Sequence, residues 1–124
     1  MKHDVFGEIH FNVGWKMNKR ITLFGHPHIV TVKIHAYFEE DGITKEQENA
    51  YINFISLEET KINSIEKMLK EYSESAEERF VPKMLLINRD GSYALLFDDN
   101  DAPDEGIAVC LAPEEKIMFE DDYL

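Results

Sequence analysis

Between residues 29 and 38 apolar and polar side chains alternate with a period of two. Val30, Val32, Ile34, Ala36 and Phe38 fall on one side of an extended chain, and Ile29, Thr31, Lys33, His35 and Tyr37 on the other. This predicts a long strand with one buried face. Ile21 to Phe24 precedes it across Gly25-His26-Pro27, whose Gly and Pro punctuate a turn, so the two segments are expected to pair as a hairpin. Phe6 to Phe11 is a weaker strand ahead of them.

The period changes after Asp41-Gly42. Thr44 and Gln47 have the spacing of a capping box, in which hydroxyl and amide satisfy two otherwise unpaired backbone N–H groups. Behind it Ala50, Tyr51, Phe54 and Ile55 recur at steps of three and four, which is one stripe of a helix. Ser56 and Glu59 repeat the capping spacing, and a second helix follows with Ile62, Ile65, Met68, Leu69 and Tyr72 on one face and Glu66 and Lys70 as an i,i+4 pair outside. The two form a helical hairpin or one bent helix.

After Pro82 strand patterning returns. Met84 to Ile87 and Tyr93 to Phe97 flank Asn88-Arg89-Asp90-Gly91-Ser92, and Asp-Gly suits a turn that needs positive φ. Both apolar runs lack alternation, as strands covered on both faces do. Ile107, Val109 and Leu111, then Ile117 and Phe119, make two last strands around Ala112-Pro113. The order βββ-αα-ββββ predicts a single α+β domain over residues 1–124: a mostly antiparallel sheet of about six or seven strands with two helices packed on one face. No repeat, low-complexity tract or linker divides it.

Composition narrows the partners. Of 124 residues, 44% are hydrophobic and 11% aromatic, enough for a real core despite 31% charged. Thirteen basic and 25 acidic residues leave a formal charge of -12, which argues against a nucleic-acid binder, since such proteins gain affinity by replacing counterions with Lys and Arg. The charge is also uneven. Residues 1–38 carry +3 and all five histidines, residues 39–97 carry -6, and residues 98–124 carry -9. The opening residues lack the apolar run of a signal peptide, and no apolar run approaches the roughly twenty residues of a spanning helix. With Cys110 as the only cysteine there is no internal disulfide, so a cytoplasmic protein without membrane contact is expected.

Several residues carry candidate chemistry. On an extended chain His26 and His28 point to the same side, and with His10 or His35 they could hold a metal, although Pro27 favours solvated turn histidines and no third ligand has a known spacing. Asp98-Asp99-Asn100-Asp101 with Asp104-Glu105 offers oxygen ligands for a hard cation, but no EF-hand register places glycine and the closing glutamate correctly. Cys110 has no activating neighbour by spacing and reads as a packing residue on a strand. Trp15, the only tryptophan, is an anchor or a core filler, with core or edge packing favoured. Glycine-rich phosphate loops, H-E-x-x-H and G-x-S-x-G are absent, so no enzyme and no cofactor is indicated.

Gly42-Ile43-Thr44-Lys45-Glu46-Gln47-Glu48-Asn49-Ala50-Tyr51, with Phe54, Ile65 and Tyr72, resembles an uncharacterised bacterial domain family in which an I-T-x-x-Q-x-x-A-Y helix lies between an N-terminal strand set and a C-terminal strand pair. Related domains have a loop with Trp, Glu, His and Gly before the penultimate strand. Here Asp98 to Gly106 keeps Glu105 and Gly106 and lacks the Trp and His. Small acidic proteins of this kind resemble the immunity components of bacterial toxin systems.

The leading expectation is therefore a non-enzymatic interaction domain, monomer or homodimer. Asp98, Asp99, Asp101, Asp104, Glu105, Glu114, Glu115, Glu120, Asp121 and Asp122 are expected to dock a basic protein such as a cationic toxin. Two alternatives stand beside it: a small metal-dependent or hydrolytic enzyme using His26, His28, Asp98 and Asp101, and a structural accessory domain that pairs through an exposed edge strand.

Overall fold

The structure is a computed structural model that describes all residues 1–124. Three two-residue strands open the chain: β1 (Lys2–His3), β2 (Gly7–Glu8) and β3 (His10–Phe11). Two nine-residue strands follow, β4 (Trp15–Leu23) and β5 (His26–Ile34). Helices α1 (Lys45–Ser56), α2 (Glu58–Tyr72) and the short α3 (Ala76–Arg79) lead to β6 (Phe80–Ile87), β7 (Tyr93–Asp99), β8 (Gly106–Ala112) and β9 (Lys116–Phe119). A last turn of helix, α4 (Glu120–Tyr123), closes the chain.

Strands β3 to β9 form one seven-stranded sheet in sequence order, and β1–β2 a separate pair. Every neighbouring pair is antiparallel except β5 and β6, which the helices connect as a parallel crossover. The expected α+β fold is thus the observed one. The helices lie on one face, where Val32, Ile34, Leu85, Ile87, Phe97 and Val109 pack against Phe54, Ile65 and Leu69. On the opposite face Leu86, Ala94, Leu96, Ala108 and Cys110 form a smaller cluster under Met84, Met118 and Tyr123. Strands β7 and β8 are therefore covered on both sides, which explains their unbroken apolar runs.

The differences from the sequence pattern have local causes. The first hairpin turns at Phe24 and Gly25, both at positive φ (51° and 78°), so His26 and Pro27 belong to β5. Proline is tolerated there because β6 runs beside β5 only from Thr31 onward. At its far end β5 stops at Ile34, not Phe38. His35 N–H still donates to the Ile87 carbonyl (2.9 Å), but the fully buried Gln47 side chain then donates to the carbonyls of His35 (2.9 Å) and Ile87 (3.2 Å) and ends the ladder. Phe38 consequently lies 66% exposed. Instead of the single strand expected over Phe6–Phe11, the segment divides at Ile9 into two short pieces, β2 pairing with β1 and β3 with β4.

The Thr44–Gln47 capping box forms as expected, with Gln47 N–H donating to Thr44 Oγ1 (3.1 Å) and Thr44 N–H to Gln47 Oε1 (2.9 Å). The second box does not. Leu57 caps both α1 and α2 without any side-chain bond, so the two helices are one rod bent at that residue. Glu66 does not pair with Lys70: its Oε2 accepts the Phe24 N–H (2.6 Å) while Lys70 Nζ sits over the Phe24 ring.

Candidate partner-binding surface

Strand alternation and register decide which face each charge meets. On the helix-covered side the bases find carboxylates: Lys19 with Glu58 (2.8 Å), His26 with Glu77 (3.3 Å), and near the N-terminus His3 with Glu48 (3.2 Å). His26 and His28 share a side of β5, but no group of three His, Cys, Asp or Glu side chains comes together as metal ligands. Trp15 is buried in the core, edge-on to Phe11, with its indole N–H unpartnered.

The ten acidic candidates divide into two sets. Five are held by bases of the same chain. Asp99 is only 4% exposed and accepts from Arg79 Nε and Nη2 at 2.9 Å each, and Asp101 lies 3.6 Å from the same guanidinium. These bonds hold the Asp99 carboxyl below its ordinary range, against the opposing effect of burial. Lys83, from β6, reaches Asp98 (3.0 Å) and Glu120 (2.8 Å). Burial works against its charge, but the two carboxylates more than offset that and its pKa is raised. Lys116 pairs with Glu114 (3.1 Å). The Asp98–Glu105 loop therefore spends its first three acids on Arg79 and Lys83, and what they do there is anchor the loop to α3 and β6.

Asp104, Glu105, Glu115, Asp121 and Asp122 pair with no base. Three of these meet at one place. At the outer edge of the sheet, where β8 begins and β9 runs into α4, Glu105, Asp121 and Asp122 line a depression of about 200 Å³ with Gly106 and Phe119. Phe119 is 52% exposed. Gly106 is required by the backbone here, since a Cβ would sit 2.7 Å from the Phe97 carbonyl oxygen. Carboxylates around an aromatic ring suit an alkylammonium or guanidinium group, which gains from both the charges and the ring face.

Cys110 is buried under Tyr123, and burial pushes its thiol up, the opposite of what a nucleophile needs. Burial likewise raises the Tyr123 hydroxyl to about 12.

Sequence reasoning missed Arg79, Lys83 and Phe119. Lys83 was not findable, because regular counting back from the Asp90-Gly91 turn sets it across from Phe97, and only the register shift between Pro82 and Met84 brings it to Asp98. Nor was Arg79, because its pairing depends on α3, a four-residue helix with no periodic signal of its own.

The model of a family described as a domain of unknown function, DUF6985, matches residues 5–93. The match spans β2 to the start of β7 and stops short of the depression just described. No curated protein and no solved structure matches the chain.

Proposed function

The chain belongs to the DUF6985 domain family, and on that premise we propose that it is a non-enzymatic interaction domain that docks a basic protein partner on the acidic end of its sheet. The observation that carries this is the depression of Glu105, Asp121 and Asp122 around Phe119, which presents three unpaired carboxylates and no base. Asp98 and Glu120 continue the acidic end around Lys83 and Asp104 precedes Glu105 in the same loop, while Glu114 and Glu115 lie at the other end of β8 and β9, in the loop that joins them, and add to the long-range field. Asp99 and Asp101 serve from within by fixing the loop to Arg79. A partner of opposite sign is drawn in by the net charge of -12 and held by insertion of a Lys or Arg between the carboxylates. Neutralising a basic toxin, as immunity proteins do, is one role this chemistry serves.

A Lys/Arg-rich peptide of about twelve residues serves as the probe. Its association rate is expected to fall about tenfold or more between low and physiological salt. The double substitution Glu105→Lys/Asp121→Lys is expected to weaken binding at least about tenfold. An association rate indifferent to ionic strength, or full affinity in the double variant, would remove this function from consideration.

A further inference from the structure

The face of the sheet away from the helices is charged in two opposite halves. On β4 and β5, Lys16 stands directly across from Lys33, with Arg20 across from Ile29 farther along. No acid bears on Lys33. Burial and then the charge of Lys16 lower its pKa. Like charges placed opposite each other on one sheet face destabilise the pair, so two unpartnered lysines there are an anomaly in so acidic a chain. At the other end of the same face stand Asp98 and Glu120, sharing Lys83, and Asp122 and Glu114, which border a hollow of about 330 Å³ with Cys110, Lys116 and Tyr123. Between the halves runs an apolar strip of Met84, Val81 and Ile29, the last 66% exposed.

We propose that this face pairs with the same face of a second copy of the chain, basic half on acidic half. Charge fixes the geometry. A two-fold axis running along the strands between β6 and β7 carries β4–β5 of one copy onto β9 and α4 of the other, whereas an axis across the strands would set β4–β5 on β4–β5, the basic half on itself. The first operation also keeps each cross-strand row in place. The row of Lys16 and Lys33 continues through Leu86, Ala94 and Cys110 to Lys116, so Lys16 meets the Lys116–Glu114 ion pair and Lys33 meets the Cys110 end beside the unpaired Asp122. The row of Arg20 and Ile29 meets the end that holds Glu120. Met84 and Leu96 lie at the axis.

From strand spacing and rise the face measures about 600 Å² per copy. That is less than the roughly 800 Å² per partner of a standard stable interface, so the pair forms and separates readily. Pairing goes beyond docking of a foreign partner and competes with it for Asp122.

Sedimentation equilibrium of the full chain from about 10 to 500 μM is the test. The expected result is a monomer–dimer equilibrium at low salt that shifts to monomer at high salt. Lys16→Glu/Lys33→Glu and Glu114→Lys/Asp122→Lys should each be monomeric alone, with unchanged circular dichroism. Mixed in equal amounts they should form the heterodimer, because both contacts across the two-fold axis become attractive again. A wild-type chain that stays monomeric at low salt overturns the proposal, as does a dimer that survives both reversals or a mixture that restores nothing. Lys16→Glu/Lys33→Glu keeps the whole acidic end, so its binding of the Lys/Arg-rich peptide reports on partner docking separately.

Discussion

The two faces of the sheet treat charge in opposite ways. On the helix-covered face Lys19 and His26 each have a helix carboxylate in reach, and Asp99 holds Arg79 in a two-point bond at the base of β6. On the open face Lys16 and Lys33 confront each other without an acid, and at the far edge of the sheet Glu105, Asp121 and Asp122 stand together without a base. Ionic groups that lose water must be paired, whereas groups that keep it need not be. The covered face uses its charges to hold the fold. The open face pairs Lys83 with Asp98 and Glu120 and Lys116 with Glu114, but it leaves Lys16 and Lys33, and at its edge Glu105, Asp121 and Asp122, free for other molecules.

Substitutions can break this contrast, and the largest effect is expected at Gln47 on the covered side. Its side chain closes the ladder between β5 and β6 and caps α1. Gln47→Leu removes three hydrogen bonds, to the His35 and Ile87 carbonyls and from the Thr44 N–H, and urea denaturation should show a loss of about 3 kcal/mol. A loss below about 0.5 kcal/mol would mean that this junction does not organise the domain.

Asp99→Asn comes next, with an expected fall of about 5 °C in Tm at neutral pH. The sign of its pH dependence follows from a lowered folded pKa: the stabilisation is full above the unfolded value of about 3.9 and is lost as pH falls through the folded one. Wild type and variant should therefore converge in acid. Parallel curves down to the lowest pH at which both fold would assign the role of Asp99 to something other than its charge.

The smallest effect has the opposite sign. Lys33→Thr removes the repulsion from Lys16 and should stabilise the dilute monomer by about 0.5 kcal/mol. A loss of stability instead would show that Lys33 contributes to the fold as Lys19 does.

Much of this contrast was legible in the sequence, but unevenly. The period-two stretch at Val30, Val32 and Ile34, the Thr44–Gln47 box and the Asp90-Gly91 turn are local signals, and each produced the element expected of it. The end of β5 was not legible, because the continued alternation to Phe38 is overridden by Gln47, which arrives from the next element. Gly25 and Pro27 mark a turn in composition, yet the turn falls at Phe24 and Gly25, because the pairing of Leu23 with His26 leaves only those two residues outside the ladder. The segmental charge count placed the acids at the C-terminal end but treated them as equivalent. The register shift between Pro82 and Met84 turns Lys83 to Asp98, while Asp121, on α4, is held by no base. Likewise the basic N-terminal third was visible as a sum, while its division between a paired and an unpaired face depends on which side of β4 and β5 the helices cover.

Chemical-shift mapping of the ¹⁵N-labelled chain during titration with the Lys/Arg-rich peptide tests docking at the acidic edge most directly. Perturbations concentrated on Glu105, Gly106, Phe119, Asp121 and Asp122, diminished by Phe119→Ala and abolished at high salt, are the predicted result. Shifts scattered evenly over all the acidic residues of the chain, or absent at this edge, would contradict it.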